Sequence, residues 1–210
     1  ATLERLQPAR ARGVELILVD GGSRDDSARL GVGRCDRILA APVGRALQMN
    51  AGAAEAAGTA LLFLHADTQL PQDFDRLVLD ALAGNRQWGR FDVTISGRSM
   101  WLPLVAALMN LRSRLTGIMT GDQAMFMTRA AFVAVGGFPD QRLMEDVELS
   151  RRLKRLSRPV CLTERVTTSG RRWDNRGALR TIVTMWLFRL AYFLGVSPDL
   201  LAEWYGYGRR

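Results

Sequence analysis

The chain has 210 residues, of which 48% are hydrophobic and 24% charged, a balance typical of one globular domain with its own apolar core. Its cysteines, Cys35 and Cys161, lie far apart and form no CxxC pair, which argues against a disulfide framework and a zinc site. The net charge of +8 favours phosphate-bearing ligands, which could be nucleotides, nucleic acid or anionic lipid.

Apolar, β-branched runs alternate with helical patterns along most of the chain. The predicted strands are 14–19, 36–40, 59–64, 90–96 and 124–127. The predicted helices are 1–13, 25–30, 45–57, 71–82, 101–115, 144–156 and 178–195. This order predicts an α/β fold with a mostly parallel central sheet, flanking helices and a C-terminal helical tail.

Three acidic residues lie at the ends of predicted elements. Asp20 and Asp67 each follow a strand, and ligands of α/β proteins gather at the carboxyl ends of strands. Asp146 follows Glu145 at the start of a helix, where the helix dipole favours acids. A structural interpretation stays open for each, because Asp also caps turns and begins helices.

Sugar transfer from a nucleotide diphosphate would use acids of this kind. The leaving diphosphate needs a divalent cation or arginines, and a carboxylate must accept the proton of the acceptor hydroxyl. Asp67 is suitably placed to hold Mg²⁺ or Mn²⁺, because phosphates complete the shell of such ions. His65, the only histidine, either orients this loop, touches the ion or sugar, or is a hydrogen-bonded structural residue.

Four segments together resemble glycosyltransferase family 2, whose members have the GT-A fold. They are 19–25 (VDGGSRD), 44–52 (GRALQMNAG), 64–67 (LHAD) and 144–146 (MED). With 171–173 (RRW), the set is similar to the radical SAM/selenodomain-associated transferase subgroup. Each segment alone is a weak signal, whereas their order and spacing are fairly specific.

The resemblance implies an inverting, metal-assisted glycosyltransferase. Asp146 would be the catalytic base with Glu145 beside it, and Asp67 would bind the metal, with His65 as a second candidate ligand. The residues implied to bind the nucleotide or diphosphate are Asp20, Gly22, Ser23, Arg45, Asp67, Arg172 and Trp173. The loop formed by Gly121, Asp122 and Gln123 would lie near the donor sugar and the acceptor.

The chain departs from the family pattern in three places. His65 replaces the first acid of the DxD motif, which puts the metal preference in question. Gly21 stands where many relatives have a second Asp, which puts recognition of the base in question. The opening strand of the family is expected before residue 1, so residues 1–175 would form a catalytic domain without it.

Residues 176–210 are expected to form a helical extension. Its apolar, aromatic segment contains Arg180 and Arg189, which argues against a bilayer-spanning helix. The alternatives are packing on the domain, homodimerisation, or contact with a membrane surface that involves Arg180, Trp186 and Arg189. The first residues show no signal-peptide pattern, so we expect a cytoplasmic protein, with peripheral contact at the inner face of the cell membrane as one alternative.

Two other functions stay open at this point. A sugar-phosphate nucleotidyltransferase would carry a Gly-rich phosphate loop with Lys or Arg after the first strand, and residues 21–24 match that pattern poorly. A non-catalytic basic module would bind a membrane surface through its arginines. We expect a nucleotide diphosphate sugar as partner, with an acceptor that the sequence does not identify. Nucleic acid is not expected, because the basic strands lack interleaved aromatic residues.

Overall fold

The computed structural model describes residues 2–23 and 25–206, with side chains except at 27, 172, 175, 176, 178 and 179. The strands are β1 (Ile17–Asp20), β2 (Arg37–Ala40), β3 (Ala60–Leu62), β4 (Thr68–Gln69), β5 (Trp88–Ser96), β6 (Phe126–Thr128) and β7 (Val160–Ser169). The helices are α1 (Thr2–Ala11), α2 (Ser27–Leu30), α3 (Arg45–Glu55), α4 (Phe74–Leu82), α5 (Leu102–Thr116), α6 (Arg129–Ala134), α7 (Glu145–Leu153), α8 (Arg171–Arg176), α9 (Ala178–Phe193) and α10 (Pro198–Tyr205). A 3-10 turn covers Gly121–Gln123.

The strands form two sheets. Five of them pair in the order β3-β6-β5-β7-β4, and β1 and β2 form a separate parallel pair. In the larger sheet β5 and β7 are parallel, whereas the other three pairings are antiparallel. The predicted α/β class is confirmed, but the central sheet is mixed rather than mostly parallel. Local apolar patterns identify strands without stating which neighbour each one pairs with, so they do not define its direction.

Helices cover both faces of the larger sheet. On one face, α1, α4 and α5 pack on β5 through buried side chains that include Leu6, Phe74, Leu102 and Phe91. On the other face, α3, α6 and α7 pack on β3 and β6 through a second apolar cluster. The members of that cluster include Ala53, Leu61, Met127, Phe132 and Leu149. The apolar faces therefore hold the ends of β3, α3 and α7 close to one another.

A cavity of about 1550 Å³ separates the two sheets. Its lining includes residues 17–19 of β1 and 60–62 of β3, which are edge strands of their respective sheets. The opening strand that the family resemblance implies stays a prediction.

The C-terminal helices pack onto the start of α7. Phe188 and Tyr192 of α9 lie against a buried cluster that contains Met144, Val147 and Leu201. The outer face of α9 stays apolar and exposed at Trp186 and at neighbouring positions. Within the described ranges, no helix has the length and apolar character needed to cross a membrane.

Candidate active site

The first turn of α7 carries the proposed base in a fixed orientation. The backbone N–H of Gly121 donates to Oδ2 of Asp146 across 2.9 Å, and that of Val147 donates to Oδ1 across 2.8 Å. The Ser150 hydroxyl donates to the Asp146 carbonyl, which ties the next helical turn to the same residue. Asp146 is half-buried, and each of its carboxylate oxygens keeps lone pairs beyond these bonds. The carboxylate is therefore held in one position and can still accept a proton.

Backbone conformation around this turn is unusual. Met144, directly before α7, has φ of +65°, and Ala124, directly after the 3-10 turn, has φ of +46°. Residues with a Cβ rarely occupy this left-handed region, and such residues cluster at functional sites. Both elements that orient Asp146 are thus bordered by strained positions.

Glu145 lies in the interior beside Asp146, with only 3% of its surface exposed. Burial, and secondly the neighbouring Asp146, raise the pKa of the Glu145 carboxyl to about 7. Nη1 of Arg45 lies 3.8 Å from Oε1 and acts in the opposite direction, as does His65. Glu145 therefore exchanges its proton close to neutral pH.

This raised pKa predicts how stability depends on pH. The folded chain holds the Glu145 proton more tightly than the unfolded chain, so the stabilisation is complete below the ordinary pKa of 4.5 and is lost as the pH rises toward 7. Glu145→Gln should raise the free energy of unfolding near pH ~8 by up to about 3 kcal/mol and flatten this decline. Urea denaturation at acidic and alkaline pH measures both effects. An unchanged pH dependence in the variant would contradict the assignment.

The 3-10 turn places His65 next to this acid pair. Nδ1 of His65 lies 3.4 Å from Oδ1 of Asp122, and a Cβ added to Gly121 would come within 2.5 Å of the imidazole ring. Only glycine therefore lets the turn lie against His65 while its N–H reaches Asp146. Gln123 is fully buried, and its amide donates to the Ser113 hydroxyl across 3.1 Å. Gln123 thus anchors the turn to α5 and faces away from the cavity.

Asp67 is exposed in the turn after β3, which a hydrogen bond from Thr68 N to the His65 carbonyl closes at 3.0 Å. Within residues 2–23 and 25–206, no group of three His, Cys, Asp or Glu side chains could hold a metal ion. The donor set suits Mg²⁺ or Mn²⁺, which accept one protein carboxylate when phosphates and water complete the shell. Asp67 and the neighbouring His65 stay the predicted ligands.

Two adjoining cavities connect the predicted metal ligand with the predicted base. Arg45, Asp67, Asp122 and Trp173 line the large cavity, together with His65. His65 also lines a small second cavity with Gly121, Glu145 and Asp146. The structure thus brings Asp67 and Asp146 to the same histidine from two sides.

The glycine-rich loop after β1 is closed by hydrogen bonds to its own Asp20. The Asp20 carboxylate accepts hydrogen bonds from the N–H groups of Gly22 and Ser23 at 3.1 to 3.2 Å. Hydrogen bonds from Ser23, led by that of its side chain, hold the pKa of Asp20 below its usual value. The large cavity reaches Val19, one residue before this loop. Asp20 therefore closes its own turn, as the structural interpretation of the sequence expected.

One predicted residue, Arg172, belongs to α8, but its side chain lies outside the described residues. Its contact to a nucleotide stays a prediction. The neighbouring Arg171 does line the large cavity, beside Trp173.

Two arginines near Asp146 were not predicted as site residues. Burial, and secondly the charge of Arg189, lower the pKa of Arg112 to about 10, while Asp146 acts in the opposite direction. Burial also lowers the pKa of Arg189, against the charges of Asp146 and Asp122. The charges of both acids act on Arg189, so its guanidinium lies on the side of α9 that is near the site. An arginine inside an otherwise apolar, aromatic segment of helix α9 was the signal that could have identified it.

Comparison with known proteins identifies the family of this chain. The family model described as "Glycosyl transferase family 2" matches residues 1–134, more than half of the chain. No curated protein sequence matches the chain.

Solved structures of glycosyltransferases share the fold. A mannosyltransferase from Pyrobaculum calidifontis, in complex with GDP-Man and Mn²⁺, superposes with a TM-score of 0.63 at 18% identity over 94% of this chain and 62% of that one. Glucosyl-3-phosphoglycerate synthase from Mycobacterium tuberculosis, with Mn²⁺, UDP and glucosyl-3-phosphoglycerate, gives 0.61 at 20% identity over 90% and 75%. TarS from S. aureus gives 0.59 at 12% identity over 80% and 57%.

The chain spans less than two thirds of the TarS and mannosyltransferase chains. At these identities the superpositions establish the GT-A fold, and the family match establishes the relationship. The sequence motifs, the fold and the matched residues agree. The chain belongs to glycosyl transferase family 2.

Proposed function

We propose that this chain is an inverting glycosyltransferase, which moves a sugar from a nucleotide diphosphate donor to an acceptor hydroxyl with the help of Mg²⁺ or Mn²⁺. The observation that carries this proposal is the position of His65, which borders both the cavity of Asp67 and that of Asp146. Family membership favours sugar transfer over the nucleotidyltransferase and the non-catalytic membrane module.

Asp146 would accept the proton of the acceptor hydroxyl as that oxygen attacks the anomeric carbon. Backbone N–H groups of Gly121 and Val147 fix its two oxygens, so little reorganisation is needed when the hydroxyl arrives. Glu145, buried behind it and ionising near neutral pH, would position the first turn of α7. In an inverting displacement the hydroxyl attacks opposite to the leaving group, so base and diphosphate lie on opposite faces of the sugar.

Arg45 and Asp67 would serve the leaving group, because both line the large cavity. Asp67 would hold a divalent cation, which would supply positive charge to the departing diphosphate. Arg45 would add a hydrogen-bonding cation on the same side. Asp122 would hold His65 in place at the border with the acceptor side.

A nucleotide screen tests the donor side of this proposal. UDP or GDP with Mn²⁺ is expected to raise the melting temperature, since a ligand that binds only the folded chain stabilises it. Asp67→Asn should abolish the dependence on Mn²⁺, while Asp73→Asn, which changes an exposed acid directly before α4, should leave it unchanged. If metal and nucleotide raise the melting temperature of wild type and Asp67→Asn equally, Asp67 is not a ligand of the metal.

We assign residues 1–175 to the catalytic domain and 176–210 to a helical extension that contributes to the site. The extension packs Phe188 and Tyr192 beside Met144, and its Arg189 faces Asp146. Its outer face exposes Trp186 and Phe193, at 68% and 64% of their surfaces. Homodimerisation and peripheral membrane contact through this face both stay predictions.

A further inference from the structure

Two helices bring arginines close to Asp146. The side chains of Asn110 and Ser113 on α5 contact Gln123 of the 3-10 turn, whose Gly121 binds Asp146. Arg112 belongs to the same helix, and the charge of Asp146 acts on it. On α9, Arg189 follows Phe188, which packs against the cluster at the start of α7, and the charge of Asp146 acts on Arg189 as well. The two arginines therefore approach Asp146 from separate elements.

The Arg112 guanidinium has one edge without a hydrogen bond. Its Nε and Nη2 are shielded from solvent, and no described residue accepts a hydrogen bond from either atom. These two nitrogens share the edge whose N–H bonds run parallel, which matches two oxygens of one phosphate or carboxylate. Buried polar groups are normally satisfied, so an unused bidentate edge indicates a ligand group.

The charges around this edge also favour an anion. Arg112 faces Arg189 and Arg90, and Asp146 is the acid that acts on it. Arg189 in turn faces Asp146 and Asp122. Bringing an anion to two neighbouring guanidinium groups would relieve their mutual repulsion.

We propose that Arg112 and Arg189 form a subsite for an anionic group, a phosphate or a carboxylate, which the acceptor carries close to its reacting hydroxyl. This inference rests on the proposed function, because it takes Asp146 as the base. The leaving diphosphate lies on the opposite face of the sugar, so cations beside the base belong to the acceptor. The lining of the large cavity reaches Met109 and Met185, which lie one helical turn before Arg112 and Arg189 on their helices.

Titration calorimetry with inorganic phosphate, at constant ionic strength, tests the subsite. Wild-type protein should bind phosphate, and Arg112→Gln and Arg189→Gln should each weaken binding by on the order of tenfold or more. Arg180→Gln changes an exposed arginine of the same helix α9 and should leave the affinity unchanged. Thermal unfolding of each variant shows whether it is folded, and Arg112→Lys serves as a milder change that keeps the charge but lacks the bidentate edge.

A second titration, with saturating UDP or GDP and Mn²⁺ present, shows whether phosphate binds at the acceptor subsite or at the donor site. Phosphate should still bind, because the acceptor subsite stays open beside a filled donor site. Displacement of phosphate by the nucleotide, equal phosphate affinity in all variants, or no phosphate binding by the wild type would each overturn the subsite. If no nucleotide diphosphate binds but phosphate still requires both arginines, the proposed donor chemistry fails while the anion subsite stands.

Discussion

Asp146→Asn is expected to lower donor turnover by on the order of 10³-fold while leaving donor affinity unchanged, since a positioned general base contributes about that much. The amide can still accept a hydrogen bond from Gly121, so the turn should keep its shape. What is lost is a group that can take the proton of the attacking hydroxyl. Release of UDP or GDP from the nucleotide sugar, with water as the default acceptor, measures turnover.

The control for this variant is Asp140→Asn, which changes an exposed acid upstream of the same helix. It should turn over at the wild-type rate. Full turnover by Asp146→Asn would show that another group accepts the proton, and Asp146 would then be a structural residue at the start of α7.

Gly121→Ala is expected to cost on the order of 10²-fold in turnover, the effect of displacing reacting groups by about 1 Å. The new methyl group would lie 2.5 Å from two atoms of the His65 ring, so either the ring or the turn must move. Movement of the turn would weaken the hydrogen bond from Gly121 to Asp146, and movement of the ring would break its contact with Asp122. Turnover and the affinity for the nucleotide sugar should be measured together to detect the effect of this displacement.

A double variant identifies the cause of that loss. If the methyl group acts through the His65 ring, Gly121→Ala should cost little more in the background of His65→Ala, because the ring is no longer there. Strictly additive losses in the double variant would show that the methyl group acts elsewhere, and the close packing of turn and ring would not matter for activity.

The sequence predicted elements whose apolar runs are regular. Strand β7 was missed because Thr163, Glu164 and Arg165 form an exposed polar run in its middle. The pairing register shifts there, from Phe91 opposite Leu162 to Asp92 opposite Arg165, so residues of β7 bulge out and interrupt the twofold alternation. Since β7 pairs with both β5 and the edge strand β4, missing it also left the strand directions undefined.

The residues of the candidate site also differ in how far the sequence could predict them. Asp67, Glu145 and Asp146 belong to short motifs that could be recognised from their order along the chain, and the structure places all three around His65 or its cavity. Arg112 and Arg189 belong to no motif, and their relation to Asp146 depends on how α5 and α9 pack. Long-range packing of this kind leaves no local pattern to identify.

A crystal structure with a nucleotide diphosphate and Mn²⁺ would test the central claim most directly. We expect the ion to bind the Asp67 carboxylate and the diphosphate together, with Asp146 across the sugar position from the phosphates. A diphosphate bound away from His65, or an ion that contacts Asp146 and not Asp67, would contradict it.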